Sequence, residues 1–508
     1  MGRIVVAMVV SMWVIPISIL VNLVVPQPYM DEIFHIPQVK QYCKGNFRSW
    51  DPMITTPPGM YGITLAYVAS FFPFMWFAKV TSSFYHLCST PVLRSSNGVL
   101  AIICSLLIYD ILILLKPTLS EKKASFYAIT IALYPIHWFF TFLYYTDIAS
   151  VTAILATYLA SLKQHYWTSA MFGAMAVLIR QTNVVWMGFI AGTAAIEFVE
   201  ILYEKQLAQS NCSTSVIKNG RTIENTTTEN PTVRRRKWKT SKNHNRSNNS
   251  ERKNSPDKIG IGEEFHDILI KFWCFKWNLL TLFTPFIIVL VSFLSFVIWN
   301  GSIVLGAKEA HVVSPHFAQI MYVGLVSAAA TAPVHFCTTQ IMVMIKSLLF
   351  KNKVISLFLC PIALIAGFLA VHFYSIAHPY LLADNRHYTF YIWRKIINIH
   401  WSTKYILVPI YVYSWFSLIY ILAKWQKKIW ILFFFLACSA VLVPAPLIEF
   451  RYYTIPFFFL ILHSQIDDNI SWILIAFVYI VVDIFTIVIF LYYPFHWSHE
   501  PGTQRFIW

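Results

Sequence analysis

Charge is scarce in this 508-residue chain, because Asp, Glu, Lys and Arg make up only 12% of it while 57% of its residues are hydrophobic. A soluble globular chain is about 25% charged, so this shortage excludes an ordinary soluble protein. Apolar runs of about 18 or more residues recur, which predicts membrane-spanning helices. The alternating segments of about ten residues that a transmembrane β-barrel requires are missing. We therefore predict an all-α polytopic membrane protein.

Cysteine spacing and short catalytic motifs are also uninformative. The eight cysteines are scattered and none forms a C-x-x-C pair, so we expect neither a zinc site nor a disulfide framework. No H-E-x-x-H, Walker loop, G-x-S-x-G or G-x-G-x-x-G sequence occurs. Zinc hydrolysis, nucleotide binding and serine hydrolysis therefore lack support.

The formal charge of +16 would suggest a nucleic-acid partner in a soluble protein. Here the excess lies in the hydrophilic segment 204–268 and in short connections, so a positive-inside bias explains it and we predict no nucleic-acid partner. We predict a disordered, basic cytosolic insertion over 204–268. Its N-x-S/T sequons, at Asn211, Asn225, Asn245 and Asn248, would be glycosylation acceptors if it were lumenal, but its Arg/Lys run favours the cytosol.

The insertion divides the chain into an N-terminal transmembrane module, 1–203, and a C-terminal one, 269–508. Apolar segments predict about 12–14 transmembrane helices. They lie near 4–25, 97–115, 124–142, 148–162, 167–182, 184–203, 275–299, 317–342, 354–375, 404–422, 429–446, 453–465 and 471–493.

The basic connections 116–123, 346–353 and 424–428 can all be cytosolic if 58–96 makes no net crossing. The polar motifs then share the lumenal face. They are the first loop, 26–57, and the stretches 144–147, 180–183, 306–311, 381–395 and 449–453. This asymmetry is typical of a membrane enzyme with a lumenal site.

"YMDEIFH" places Asp31 and Glu32 directly after the first apolar segment. Charged groups at a membrane boundary are costly when desolvated. The two carboxylates fit a solvated turn that caps the following helix. They equally fit a general base with an orienting partner, because sugar transfer to a hydroxyl requires that hydroxyl to lose a proton.

Other polar motifs also allow two interpretations. Arg180 in "RQTN" fits an arginine that extends to the membrane interface or one that binds a phosphate. "LADNRHYTFYIWRK" fits a sugar-binding loop or an interfacial aromatic belt. Glu449 and Arg451 in "LIEFRYY" repeat that mixture and fit a structural ion pair equally well.

A family resemblance becomes specific at these motifs. "PYMDEIFHIPQVKQYC", "WDPMITTPPGMY", "IRQTN", "LLADNRHYTFYIWRK", "LIEFRYY" and "QRFIW" resemble the dolichyl-phosphate-glucose α-1,2-glucosyltransferase family of asparagine-linked glycosylation. The resemblance implies a GT-C helical bundle in the endoplasmic reticulum membrane with a lumenal active site and lumenal juxtamembrane loops. It also implies dolichol-linked donor and acceptor lipids, an inverting displacement, and no metal or other cofactor.

In this resemblance Asp31 is the expected base, with Glu32 as its orienting partner or substitute. Arg180, Arg386 and Arg451 are candidates to stabilise the leaving phosphate. The predicted substrate-binding residues are Tyr29, His35, Trp50, Asp51, Asp147, Arg180, Gln181, Asp384, Asn385, Arg386, His387, Tyr388, Trp393, Glu449 and Arg451. The alternative, a polytopic transporter or channel-associated protein, predicts internal repeats and mid-membrane charges, but no repeat is visible and the charged motifs lie at segment ends.

Overall fold

The computed structural model describes residues 1–77, 83–218, 260–347, 353–498 and 502–508, and these residues are mainly helical. The helices are α1 Gly2–Val24, α2 Glu32–Cys43, α3 Gly59–Phe77, α4 Phe84–Leu87, α5 Thr90–Leu115, α6 Glu121–Ala132, α7 Pro135–Phe140, α8 Thr146–Leu162, α9 Tyr166–Ile179, α10 Asn183–Lys218, α11 Ile261–Cys274, α12 Lys276–Asn300, α13 Ala318–Ala330, α14 Ala332–His335, α15 Thr338–Lys346, α16 Lys353–Phe373, α17 Pro379–Ala383, α18 Tyr388–Ile392, α19 Thr403–Ile406, α20 Val408–Leu422, α21 Lys428–Leu442, α22 Thr454–His463 and α23 Asn469–Tyr492. The strands β1 Phe495–His496 and β2 Thr503–Gln504 pair antiparallel.

Seven helical stretches in the described residues are long and apolar enough to cross a membrane. They are Gly2–Val24, Gly59–Phe77, Thr90–Leu115, Asn183–Gln209, Lys276–Asn300, Thr403–Leu422 and Asn469–Tyr492. Five shorter apolar helices of 10–17 residues accompany them. A bilayer core needs about 20 apolar residues per crossing helix, so the predicted fold class, an all-α polytopic membrane protein, is confirmed.

Two predicted segments are interrupted. The segment 124–142 divides into α6 and α7, because Pro135 has no N–H to continue α6 and instead begins α7. The segment 317–342 divides into α13, α14 and α15.

The chain forms two compact units, one of residues 1–191 and 284–508 and the other of residues 192–283. The larger unit therefore contains residues from both predicted modules, 1–203 and 269–508. Helix α10 continues to Lys218 and α11 begins at Ile261. The part of the predicted insertion between these helices, 219–259, lies outside the described residues, as do three of the four sequons.

Within the larger unit, α8 packs against both α5 and α9. Helices α8 and α9 are joined by the short turn 163–165, so the start of α8 and the end of α9 lie at the same end of the pair. Stacked aromatic rings fill the neighbouring core, as in Tyr134 on Phe457, whose centroids are 4.2 Å apart. This core fixes the helix ends that carry the polar motifs.

A disulfide joins Cys43, the last residue of α2, to Cys88 just after α4. The expectation that the cysteines form no disulfide is therefore wrong. The two residues are 45 apart in sequence, so no local spacing signal identifies them as partners. The bond fixes the end of α2 to the segment that leads into α5.

We expect the Cys43→Ser/Cys88→Ser double variant to lose about 3–4 kcal/mol of unfolding free energy, because the bond closes a long loop in the unfolded chain. The midpoint of thermal unfolding of the purified protein in detergent measures this, and reductant should lower the wild-type midpoint equally. Cys274→Ser, which removes an exposed free thiol, is the matched control. An unchanged midpoint in the double variant would contradict a stabilising role for the bond.

Candidate active site

The main chain turns sharply before α2. Met30 has a φ of 55°, a left-handed conformation that costs a residue other than glycine roughly 1–2 kcal/mol. The turn is held by the Tyr29 N–H, which donates to Glu32 Oε2 at 3.0 Å. The Asp31 N–H donates to the Tyr145 hydroxyl at 3.2 Å. The strained turn thus sets the direction in which Asp31 and Glu32 point.

Glu32 is fully buried and is paired with Arg94. Arg94 Nε donates to Glu32 Oε1 at 2.8 Å, and Nη2 donates to Oε2 at 2.6 Å. The Tyr144 N–H donates to Oε1 at 2.6 Å. With Tyr29, the Glu32 carboxylate therefore accepts four hydrogen bonds.

Arg94 lies beside the candidate site but was not identified from the sequence. It is 1% exposed, and its remaining donors reach Asn22 Oδ1 and the carbonyls of Val25 and Gln27. All five guanidinium N–H groups are thus used. The pair ties the end of α1 and the starts of α2 and α5 together, which makes it the anchor of the first loop.

Asp31 is placed quite differently from its neighbour. Its side chain is 41% exposed, whereas that of Glu32 is 0% exposed. Asp31 Oδ2 accepts from Arg451 Nη1 at 2.9 Å, and no described residue donates to Oδ1. Partial desolvation by the surrounding protein would raise the pKa of the Asp31 carboxyl, but the charge of Arg451 and its hydrogen bond hold that pKa below its ordinary value. Asp31 is therefore an ionised, accessible carboxylate at neutral pH.

Arg451 gathers three carboxylates. Besides Asp31, its Nη2 lies 2.7 Å from Glu449 Oε2, and its Nη1 lies 3.8 Å from Asp147 Oδ2. Its guanidinium carbon lies 5.3 Å from the ring centroids of Phe140 and Tyr145. Burial opposes the charged form of Arg451, yet Glu449, Asp31 and Asp147 raise its pKa.

Arg180 completes this group, which we call the carboxylate–arginine cluster: Asp31, Asp147, Glu449, Arg180 and Arg451. Arg180 Nη2 donates to Asp147 Oδ2 at 3.0 Å, and its Nε donates to Thr146 Oγ1 at 2.9 Å. Its Nη1 has no hydrogen bond to a described residue. The structure therefore brings together four motifs that are far apart in sequence.

His35 lies one helical turn after Asp31. Its Nδ1 is hydrogen-bonded to the Tyr61 hydroxyl at 2.6 Å. Burial lowers the pKa of His35, and the charge of Asp31 only partly opposes that effect. His35 is therefore a neutral imidazole at pH 7, with Nε2 left for a ligand.

A second group surrounds Arg386. Arg386 Nε and Nη2 donate to Asp384 at 2.8 Å each, and Nη1 donates to Gln504 Oε1 at 3.1 Å. The Trp497 ring lies 4.8 Å from the guanidinium carbon, and Trp497 Nε1 donates to Asn385 Oδ1 at 2.9 Å. The guanidinium of Arg386 thus joins two segments of the chain.

The C-terminal segment 502–508 connects this second group with the first loop. The Ile507 N–H donates to the Arg386 carbonyl at 2.9 Å, and the Tyr388 N–H donates to the Ile507 carbonyl at 3.1 Å. His387 Nδ1 lies 3.1 Å from Trp508 O. The Tyr29 hydroxyl donates to the Arg505 carbonyl at 2.6 Å, so this segment links the second group to the first loop.

Three further predicted residues, Trp50, Asp51 and Gln181, lie in or contact the loop 50–55. The Trp50 ring lies 6.1 Å from that of Tyr61, and its buried Nε1 has no partner among the described residues. Asp51 Oδ1 accepts from the Met53 N–H within a local turn. Gln181 Nε2 donates to the Thr55 carbonyl at 2.7 Å. These contacts order the loop 50–55 beside the site.

Tyr388 and Trp393 differ although they share one motif. The ring of Tyr388 lies 5.1 Å from that of Trp508, and its buried hydroxyl has no partner among the described residues. Trp393 is buried in the hydrophobic core. Of the two, only Tyr388 is joined by a ring contact to the C-terminal segment that borders the site.

We expect Arg451→Gln to move the acidic limb of the kcat/KM profile to higher pH. The variant removes the charge and the hydrogen bond that lower the pKa of Asp31, while the opposing effect of burial stays. In the wild-type protein, Asp31 should stay ionised throughout the range from about pH 5 to pH 8. Arg48→Gln, an exposed arginine on the first loop, is the control. Identical acidic limbs in Arg451→Gln and wild type would contradict the assigned electrostatics.

Comparison with known proteins adds independent findings. The model of the DIE2/ALG10 family matches residues 25–462. An Arabidopsis thaliana protein named Dol-P-Glc:Glc(2)Man(9)GlcNAc(2)-PP-Dol alpha-1,2-glucosyltransferase is 53% identical over 520 residues and covers 100% of both chains. No solved structure matches this chain.

More distant relatives carry the same name. The mouse protein is 32% identical over 495 residues, which are 95% of this chain and 93% of its own. The Yarrowia lipolytica protein is 28% identical over 556 aligned residues, with 96% and 94% covered. The similarity therefore spans both halves of the chain.

Proposed function

Because this chain belongs to the DIE2/ALG10 family, we propose that it is the α-1,2-glucosyltransferase that moves glucose from dolichyl phosphate glucose to Glc(2)Man(9)GlcNAc(2)-PP-Dol. Relatives similar over almost their whole length carry the name of this activity. The product is the completed lipid-linked precursor for protein N-glycosylation. The alternative of a transporter has no support among these relatives.

The reaction is a single in-line displacement. The donor glucose is β-linked to phosphate and the product linkage is α, so the configuration inverts and one base suffices. The acceptor 2-hydroxyl attacks the anomeric carbon while its proton passes to the base. The bond between that carbon and the phosphate oxygen breaks, and dolichyl phosphate leaves with the electron pair.

Asp31 is the base in this proposal, and its free Oδ1 is the observation that carries the assignment. A general base must lie within hydrogen-bonding reach of the proton it takes. Oδ1 is accessible, and Arg451 keeps the carboxylate ionised and oriented through Oδ2. Glu32 has no such capacity, because its oxygens already accept four hydrogen bonds in a fully buried position. Glu32 is therefore a positioning residue.

Guanidinium groups supply the positive charge of the site in this proposal, without a metal ion. Each carboxylate of the carboxylate–arginine cluster faces Arg451 or Arg180. Arg180 Nη1, which has no described partner, and neutral His35 can bind hydroxyl groups of the sugars. Addition of EDTA should leave the transfer rate unchanged, whereas a metal-dependent enzyme would stop.

We place the site on the lumenal side of the endoplasmic reticulum membrane. Disulfides form in oxidising compartments, and the Cys43–Cys88 bond ends the helix that begins beside Asp31. The Met1 amino group lies 3.9 Å from Glu121 in the basic connection 116–123. That connection therefore lies at the opposite end of α1 from Asp31, which supports a cytosolic position for it.

The same bond supports the expectation that 58–96 makes no net crossing. It joins Cys43 to Cys88, so the chain between them begins and ends on one side of the membrane. Helix α3 is the one long apolar helix among the described residues of that stretch. In this proposal α3 therefore contributes no net crossing between the two cysteines.

Purified full-length protein tests this function with three lipid-linked acceptors that carry none, one or two glucose residues. Labelled glucose from dolichyl phosphate glucose should reach only the diglucosylated acceptor. Transfer to a shorter acceptor in preference, or no transfer to the diglucosylated one, would contradict the proposal.

A further inference from the structure

An apolar groove of about 670 Å³ follows one face of α23. Its walls include Val481, Ile484, Phe485 and Val488, and Phe506 of the C-terminal segment lines it near the end of the helix. Ile484 and Phe485 are 57% and 60% exposed. The volume is that of a ligand pocket, roughly 300–1,000 Å³, and its walls suit a hydrocarbon chain.

A cation lies beside this end of the groove. Arg505, the neighbour of Phe506, donates from Nη1 to the carbonyls of Phe490 and Leu491 at 2.7 and 2.8 Å. These bonds satisfy carbonyls that the last turn of a helix leaves free. Nε and Nη2 have no hydrogen bond to a described residue, and no described carboxylate forms an ion pair with Arg505. Three N–H groups are thus available for an anion.

Tyr29 ties this arginine to the active site. The Tyr29 hydroxyl donates to the Arg505 carbonyl at 2.6 Å and accepts from the Arg505 N–H at 2.7 Å. The ring of Tyr29 also packs edge-on against Phe490, with centroids 5.8 Å apart. Tyr29 lies two residues before Asp31. Its side chain therefore connects the main chain next to Asp31 with the main chain of Arg505.

We propose that the groove along α23 binds the polyisoprenoid chain of the donor lipid and that Arg505 binds its phosphate. This inference rests on the proposed function and names where its donor lies. An apolar groove whose lining residue Phe506 is followed back along the chain by the unneutralised guanidinium of Arg505 matches a lipid chain that ends in a phosphate.

The chemistry of the reaction indicates that the lipid bound in the groove is the donor and not the acceptor. The donor phosphate is bonded directly to the reacting carbon, so it must lie within one sugar of Asp31. The diphosphate of Glc(2)Man(9)GlcNAc(2)-PP-Dol lies at the far end of the glycan from the reacting hydroxyl. In-line attack also places the leaving phosphate on the opposite side of the glucose from the base. Arg451 touches Asp31, so we assign the leaving phosphate to a second cation, Arg505.

Donor and acceptor titrations of purified protein test Arg505. Arg505→Ala should raise the KM for dolichyl phosphate glucose about tenfold or more, as expected for a lost charge-assisted bond. The acceptor KM should stay unchanged, and Arg505→Lys should recover part of the loss. Arg3→Ala, at an exposed arginine at the opposite end of α1 from Asp31, is the control. An unchanged donor KM, or an equal rise in both KM values, would overturn the role of Arg505.

Donors with lipid chains of different length test whether the groove binds the lipid chain. Ile484→Trp fills the groove about 9 Å along α23 from Phe490, whose carbonyl binds Arg505. It should therefore raise the KM for the long-chain donor about tenfold while leaving the KM for a one-isoprene glucosyl phosphate unchanged. Phe477→Trp, on an exposed part of α23 outside the groove, is the matched control. If Ile484→Trp behaves like wild type with both donors, an ordinary bilayer lipid occupies the groove and the inference fails. Absence of transfer by wild type would instead refute the proposed function itself.

Discussion

Asp31→Asn should reduce glucose transfer by about 10²–10⁴-fold, the contribution typical of a general base, while the protein stays folded. The amide keeps the size of the side chain, and its oxygen can still accept from Arg451, whose bonds to Glu449 are unaffected. What disappears is the capacity to accept the acceptor proton. The measurement is kcat at saturating donor and acceptor, with thermal unfolding measured on the same preparation.

The matched control is Asp467→Asn. Asp467 is an exposed aspartate that accepts from Gln465 Nε2 at 2.6 Å, and its replacement should leave kcat unchanged. If Asp31→Asn retained more than about a tenth of wild-type kcat, another group would have to take the proton, and the assignment of Asp31 would be wrong.

Glu32→Gln should lower the free energy of unfolding by about 3–5 kcal/mol, the usual effect of breaking a buried ion pair. All four partners of the carboxylate are donors, so the NH₂ of a glutamine would face other N–H groups. Arg94 would also remain buried without its charge partner. Thermal and denaturant unfolding in detergent measure this loss.

Two comparisons separate this effect from a catalytic one. Glu121→Gln, at an exposed carboxylate, should leave the unfolding midpoint unchanged. The double variant Glu32→Gln/Arg94→Gln should be less destabilised than the sum of its single variants, because the two side chains form one unit. A Glu32→Gln protein with wild-type stability and no transfer would identify Glu32 as the base instead.

The division of labour between Asp31 and Glu32 could not be predicted from sequence. Adjacent residues at the start of a helix point in different directions, so one of the pair can be buried while the other is accessible. Which one is buried depends on Arg94, which lies 62 residues away from Glu32. The sequence shows that charges are concentrated at this point, but not where their partners come from.

The convergence of the motifs was more predictable than their individual contacts. The alternation of basic and specific polar connections indicated that Asp31, Asp147, Arg180 and Arg451 share one face, and the structure brings them into contact. Long apolar runs likewise predicted the helices, because backbone N–H and C=O groups in hydrocarbon must form hydrogen bonds with one another. The break at Pro135 was not predicted.

The features that could not be predicted depend on contacts between residues far apart in sequence. The Cys43–Cys88 bond and the hydrogen bonds between Tyr29 and Arg505 join positions with no recognisable spacing. Arg386 was predicted to bind phosphate, but its donors are engaged with Asp384 and Gln504. Whether it also contacts the donor stays a prediction.

The linkage of the product tests the central claim most directly. Purified protein is given dolichyl phosphate glucose and the diglucosylated lipid-linked acceptor, and the released glycan is analysed by NMR at the new anomeric centre. One displacement assisted by Asp31 predicts a single α-anomer joined to the 2-hydroxyl of the terminal glucose. A β-anomer, or attachment at another hydroxyl, would contradict the account.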